Sequence, residues 1–240
     1  TILVTGANRG IGFGIVREIL KIPNSGVEKV IATARNPDTA QELKSLNDSR
    51  LAIIKLEVDN DDSIESSVKE VEKILGGNGL DMLINNAGIY KMVNTRKPDR
   101  QLLLDIYNVN AASTAMITAA YHPLLKKAAQ IKGHAQVVNI TSEQGSCARC
   151  VGNFHDLNIL AYAMSKAAAN RYSIFVSHDW AEDNIWITCF CPGWVKTDMG
   201  TDIADLTLEE STVPVAKLIM GLKAEDNGKF YLYDGSKIEW

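Results

Sequence analysis

A tyrosine and a lysine stand four residues apart in Tyr162-Ala163-Met164-Ser165-Lys166. On a helix the two share one face, about one turn apart. An ammonium group beside a phenol favours the phenolate and lowers a pKa that is ordinarily about 10. Such a tyrosine can give or take a proton near neutrality. The spacing is common, and it acquires meaning only beside a site for a cofactor or substrate.

A cofactor site is suggested at the start of the chain. The apolar run Ile2–Thr5 ends in Gly6-Ala7-Asn8-Arg9-Gly10-Ile11-Gly12-Phe13-Gly14, and a helical pattern follows through Ile15, Ile19 and Ile22. Strand, glycine turn and helix in that order aim backbone N–H groups and a helix N-terminus at phosphate. The spacing of Thr5, Gly6, Gly10 and Gly12 is T-G-x-x-x-G-x-G rather than G-x-G-x-x-G. A second apolar run, Lys29–Arg35, ends about 20 residues on, where an NAD site carries an acidic residue for the ribose 2′-hydroxyl. Here Ala34 and Arg35 occupy that place, and Arg9 lies in the glycine loop. Two guanidinium groups and no carboxylate suit a 2′-phosphate, so NADP(H) is expected.

The elements that must position these groups alternate along the chain. After a helical stretch at Asp38–Leu46, with an N-cap expected at Asp38, a third strand covers Leu51–Val58 and ends at Asp59-Asn60. A helix opens at Asp61 and stops at Gly76-Gly77. A fourth strand, Leu80–Ile84, runs into Asn85-Asn86-Ala87-Gly88. Residues 98–129 read as helical, with Asn110 inside and Pro123 starting a fresh turn. A fifth strand, Gln136–Ile140, ends in Thr141-Ser142, and a polar loop spans Glu143–Asn158. Tyr162 and Lys166 lie on the helical stretch Ile159–Glu182. A sixth strand, Ile185–Cys191, leads into Pro192-Gly193-Trp194-Val195-Lys196-Thr197, before a helix near Val213–Leu222 and a last strand at Phe230–Tyr233. This alternation predicts a Rossmann-type, doubly wound α/β fold: seven mainly parallel strands with helices on both faces, in one domain over residues 1–240.

Composition narrows the partners. With 46% apolar and 22% charged residues and a net charge of −4, the chain gives no reason to expect nucleic acid or a membrane surface. No apolar run reaches the roughly 18 residues of a membrane span. The abrupt opening on Thr1 suggests that a few residues, including the initiator Met, precede it. No signal peptide is visible, and a cytoplasmic setting with reduced thiols is expected. Cys147 and Cys150 have C-x-x-C spacing. Cys189 and Cys191 fall on one face of a strand as small hydrophobes, so no metal site is expected. The four histidines show no ligand spacing.

Taken together, the glycine loop, Asp59, Asn85-Asn86-Ala87-Gly88, Asn110, Ser142, Tyr162-x-x-x-Lys166 and Pro192-Gly193 resemble the short-chain dehydrogenase/reductase family over the whole chain. The runs Thr5–Gly10 and Pro192–Gly200, with Tyr233-Asp234-Gly235 before Trp240, are similar to carbonyl reductases of the sniffer type. The resemblance implies a catalytic set of Ser142, Tyr162, Lys166 and Asn110. It implies a cofactor lying over Gly6, Asn8, Arg9, Gly10, Ile11 and Gly12, with Arg35 at the 2′-phosphate. Asp59 and Asn60 would meet adenine, and Asn86, Ala87 and Gly88 its ribose. Tyr162, Lys166, Pro192, Gly193, Val195 and Thr197 would surround the nicotinamide end. Tyr162 would protonate a carbonyl oxygen receiving hydride, Ser142 would hydrogen-bond it, and Asn110 would hold a water leading from Lys166.

The expected activity is NADPH-dependent reduction of aldehydes, ketones or quinones. The alternatives are a low-turnover regulatory or redox-sensing cofactor binder and an alcohol or steroid dehydrogenase working oxidatively. Ser142 and Tyr162 are 20 residues apart. The extra length falls in the 143–158 loop and is too short to cover the helices that family members use to dimerise. A homodimer through residues 100–125 and 160–180 is therefore expected, with an open pocket lined by Ser142, Trp194 and the 143–158 loop.

Overall fold

Alternate apolar residues in the strands face opposite ways, and that period of two divides the core. Leu3, Ile31, Leu83, Val137 and Ile187 pack on one side of the sheet. Val4, Val30, Ala32, Ile84, Val138 and Phe190 pack on the other. A computed structural model describes residues 1–23, 26–149 and 158–240. Cys150, His155 and half of the loop expected at 143–158 lie outside the described residues.

Seven strands form one parallel sheet: β1 (Ile2–Val4), β2 (Val30–Ala34), β3 (Leu51–Lys55), β4 (Met82–Asn85), β5 (Ala135–Ile140), β6 (Ile185–Cys191) and β7 (Lys229–Leu232). Their order is β3-β2-β1-β4-β5-β6-β7, with Leu3 opposite both Ile31 and Leu83. Every residue of β1, β2, β4 and β5 is buried, as expected for central parallel strands covered on both faces. Helices α3 (Asp61–Leu75), α5 (Ser113–Lys132) and α6 (Leu160–Asp179) contribute to the first core, and α1 (Gly10–Lys21), α2 (Gln41–Ser45) and α7 (Leu208–Met220) to the second. Chain order reverses between β1 and β4, the switch point where doubly wound sheets hold ligands.

Several local expectations are corrected. The helical stretch over 98–129 is two helices, α4 (Arg100–Tyr107) and α5, joined by one π turn at Asn108–Ala112. Pro123 lies inside α5 rather than opening a turn, and it gives no N–H to the turn before it. Buried Tyr121, Leu124 and Leu125 on either side hold the helix to the sheet, and packing overrides the missing bond. Asn36, not Asp38, caps the turn before α2 by accepting from Asp38 N at 3.0 Å. Helix α7 starts at Leu208, five residues before Val213, because Thr207 and Glu210 form a capping box.

One close approach depends on a glycine. A Cβ at Gly79 would lie 2.1 Å from Ala128 N, next to the bond from Leu80 N to Leu124 O that joins the start of β4 to α5. Gly79→Ala is expected to lower stability by about 3 kcal/mol, as overpacking against backbone does. Thermal unfolding monitored by circular dichroism checks this.

Candidate active site

Four strand ends converge at the switch point. After β1, Gly6 has φ 60° and lies so close to the turn after β4 that a Cβ there would sit 2.9 Å from Ala87 Cα. Thr5 fastens the two turns: its Oγ1 accepts from Asn86 N at 2.9 Å and from Ala87 N at 3.1 Å. The Asn86 amide returns bonds to the carbonyls of Thr5 and Gly6, at 2.9 and 3.1 Å. Gly12 serves packing, since a Cβ there would lie 2.4 Å from Asn86 Nδ2. Helix α1 begins at Gly10 with no side-chain cap from Arg9 and no acidic residue in its first turn. Its first N–H groups are therefore left for an anion.

These turns border a cavity of about 650 Å3. Gly6, Asn8, Arg9, Gly10 and Ile11 form its floor, and Arg35, Thr39 and Asp59 stand at one end. Asn86, Ala87 and Gly88 line the middle, with Tyr162, Lys166, Pro192 and Thr197 at the other end. Thr141 also lines it, with a buried Oγ1 that has no hydrogen-bond partner among the described residues, and the sequence motifs do not single it out. Arg35 is exposed and makes no ion pair among the described residues. Arg9 pairs with Asp198 at 2.6 Å across the cavity mouth, both side chains largely exposed. Asn60 caps α3: its Oδ1 accepts from Ser63 N at 2.8 Å, its N–H donates to Glu57 O at 3.2 Å and its carbonyl accepts from Ile64 N at 3.0 Å, and it stands outside the cavity lining. Val195 is buried and Gly193 has φ 79°, and both stand behind the lining rather than in it. Trp194 also stands outside the lining and donates its Nε1–H to Gly200 O at 2.8 Å.

Helix α6 carries Tyr162 and Lys166 to the end of β5. Lys166 Nζ donates to Ile140 O at 2.9 Å and lies 5.6 Å from the centre of the Tyr162 ring. A Cβ on Gly88 would be 3.7 Å from Lys166 Nζ and 3.3 Å from Asn110 Oδ1, so the π turn and α6 meet at the turn after β4. Asn110 is buried and its amide is committed: Oδ1 accepts from Ile89 N, and Nδ2 donates to Ile89 O and Ser165 Oγ. The π turn is what aims it there, an irregularity that periodicity alone does not reveal. Ser142 Oγ accepts from Gln144 N at 3.2 Å.

The protonation states differ from the expectation. Burial pushes the Tyr162 phenol up, with Cys191 adding to the rise and a hydrogen bond with Ser142 offsetting part of it. Burial also lowers Lys166, to about 8. Tyr162 is thus a neutral proton carrier at pH 7, and Lys166 is mostly charged. Among the described residues no group of three or more His, Cys, Asp or Glu could hold a metal. Cys189 and Cys191 are buried, and Cys147 is exposed.

A lysine whose folded pKa lies below its unfolded value costs stability in full below about pH 8. That cost fades as pH rises to the ordinary lysine value of 10.5. Lys166→Met is expected to raise stability at pH 7 by on the order of 2 kcal/mol, after allowing for the lost bond to Ile140. The gain should shrink as pH rises through this window. Denaturant unfolding at pH 7 and pH 10 checks the sign and the window.

The short chain dehydrogenase family model matches residues 1–206. The short chain dehydrogenase gsfK of Penicillium aethiopicum is 34% identical, with 100% of this chain and 99% of that protein covered. The NADPH-bound carbonyl reductase from chicken fatty liver is 35% identical, with a TM-score of 0.94 over 100% of this chain and 93% of that one. Carbonyl reductase Sniffer of Drosophila melanogaster is also 35% identical, with a TM-score of 0.93 over 100% and 99%. Fold, strand-end turns and matched sequence agree, and the chain belongs to the short-chain dehydrogenase family of oxidoreductases.

Proposed function

We propose that the protein is an NADPH-dependent carbonyl reductase acting on aldehydes, ketones or quinones. The observation that carries this reading is one cavity joining the uncapped start of α1 to Tyr162 and Lys166. The related carbonyl reductases, one of them with bound NADPH, support it. The residues fit the cofactor. The glycine loop and α1 would hold the diphosphate, and Arg35 with Arg9 the 2′-phosphate. Asp59 and Asn60 would meet adenine, and Asn86-Ala87-Gly88 its ribose. Pro192, Gly193, Val195 and Thr197 would frame the nicotinamide end. When bound, the cofactor supplies hydride to the carbonyl carbon.

The chain's own groups then handle the oxygen. Tyr162 enters the step protonated, as its burial dictates, and gives its proton to the oxygen as negative charge develops there. Ser142 hydrogen-bonds the same oxygen as preorganised stabilisation. The Lys166 ammonium stabilises the phenolate left behind. The Asn110 amide is spent on Ile89 and Ser165, so its backbone carbonyl, which accepts from Thr114 Oγ1 at 3.0 Å, would be the group that holds the water returning a proton to Lys166.

The test is oxidation of NADPH and NADH with quinones, aromatic aldehydes and diketones. NADPH should be strongly preferred, Arg35→Ala should erode the preference, and Tyr162→Phe should slow turnover by a hundredfold or more. NADH preference would overturn the arginine argument. NADPH binding without turnover of any carbonyl would favour a regulatory cofactor binder.

A homodimer belongs to the same reading. Leu104 and Tyr107 on α4, Met116 on α5, and Met164 and Phe175 on α6 are exposed apolar side chains on the helices expected to pair. Light scattering at micromolar concentration should give the dimer mass, and Phe175→Glu with Leu104→Lys should give the monomer. A monomeric wild type would remove the dimer.

A further inference from the structure

The segment after Ser142 is held from two sides. On one side the three-residue 3-10 turn Glu143–Gly145 lies against α6. A Cβ on Gly145 would be 2.6 Å from the Lys166 carbonyl carbon and 2.8 Å from Ala167 N. Ser142 caps this turn through Gln144 N, so the direction of its hydroxyl follows the place of the turn. A single 3-10 turn has poor hydrogen-bond geometry and does not hold itself in place.

On the other side stand residues 236–240, folded back along β7. Leu232 N donates to Ser236 O, Ile238 N donates to Phe230 O, and the Trp240 ring stacks on Phe230 with centroids 5.1 Å apart. Ile238, Phe230 and Trp240 pack with Cys189 and Cys191 under the end of β6. From this seat two carbonyls reach the segment after the turn. Glu239 O accepts from Ser146 Oγ at 2.5 Å, and Trp240 O accepts from Ala148 N at 3.1 Å. Ser146 is buried, and its Oγ also accepts from Arg149 N at 3.1 Å, while Arg149 pairs with Glu143 at 3.4 Å. The turn that carries Ser142 is therefore pinned between α6 and a strap seated on β7.

We infer that residues 236–240 act as a clasp that positions Ser142 for the carbonyl oxygen, with Ser146 and Trp240 as its positioning residues. The role rests on the carbonyl-reductase reading. It separates two ends of the site, because the clasp touches the segment beside Ser142 and not the glycine loop, Asp59 or Asn86-Ala87-Gly88. Loosening it should disturb the oxygen-binding end and leave cofactor binding alone.

The experiment compares wild type, Trp240→Ala, Ser146→Ala and Trp240→Phe. Kinetics with a carbonyl substrate, NADPH affinity by fluorescence and hydrogen exchange of the Ala148 amide are measured on each. For Trp240→Ala and Ser146→Ala the clasp predicts about a tenfold loss in kcat, unchanged NADPH affinity and faster Ala148 exchange. Trp240→Phe, which keeps a ring on Phe230, should restore both. In a Ser142→Ala background, Trp240→Ala should cost nothing further, because the two act through one group. Unchanged Ala148 exchange would show that there is no clasp. Faster exchange with unchanged kcat, or an equal further loss without Ser142, would show that it does not position Ser142. A matching loss of NADPH affinity would show a general structural effect and overturn the idea. If wild type reduces no carbonyl, the enzymatic reading falls and the positioning role with it, while Ala148 exchange still decides whether the clasp exists.

Discussion

The buried ammonium of Lys166 is the constraint to which the rest of the site answers. A charge taken out of water is costly unless neighbouring dipoles replace its hydration. Here the end of β5 supplies the Ile140 carbonyl, and the face of the Tyr162 ring lies nearby. That arrangement requires β5 to end where α6 passes. It also requires the turn after β4 to come close enough that only a glycine fits easily at position 88. The sheet order places β4 beside β5, and the π turn brings Asn110 to the same point. The site is therefore a consequence of topology as much as of residue type.

Buried polar side chains tie the site to the layers below it. Asn85 Nδ2 donates to Thr118 Oγ1 and to Asn139 Oδ1, and Asn139 donates onward to Ser173. Strands β4 and β5 and helices α5 and α6 are thereby pinned together by bonds that apolar contacts cannot supply, because a slip of one residue would leave several polar groups unpaired. Together with the Thr5–Asn86 link between β1 and β4, this network fixes the relative heights of the strand ends. Those heights set how the Tyr162 and Ser142 side chains stand relative to one another.

Much of the architecture is legible from short-range signals. Alternating apolar runs and glycine stops locate all seven strands to within a few residues, and Gly76, with φ 57°, ends α3 where the pattern breaks. The glycine loop, the Tyr162–Lys166 spacing and the turns after β4 and β6 are local and readable. Other features depend on contacts between distant residues. The π turn is invisible to a 3.6-residue period, Pro123 is tolerated only because Tyr121 and Leu125 are buried beside it, and Gly79 reads as an ordinary turn glycine until Ala128 is placed against it. Lys166 looks like the group that acidifies Tyr162 when only spacing is known. Desolvation of the Tyr162 phenol, which the spacing does not show, pushes it up instead. The start of α7 was readable, since Thr207-x-x-Glu210 is a capping box written in the chain.

The exposed pair between Arg9 and Asp198 has a consequence for ligand discrimination. Arg9 is already satisfied by a singly charged carboxylate that spans the mouth of the cavity. Exchanging that partner for another single negative charge changes little, since exposed ion pairs contribute about 0–1 kcal/mol. A group with nearly two negative charges and three acceptor oxygens offers a real difference. In the proposed reading Asp198 would compete with an anionic ligand for Arg9, by no more than about 1 kcal/mol. Both partners face solvent, so added salt weakens the pair.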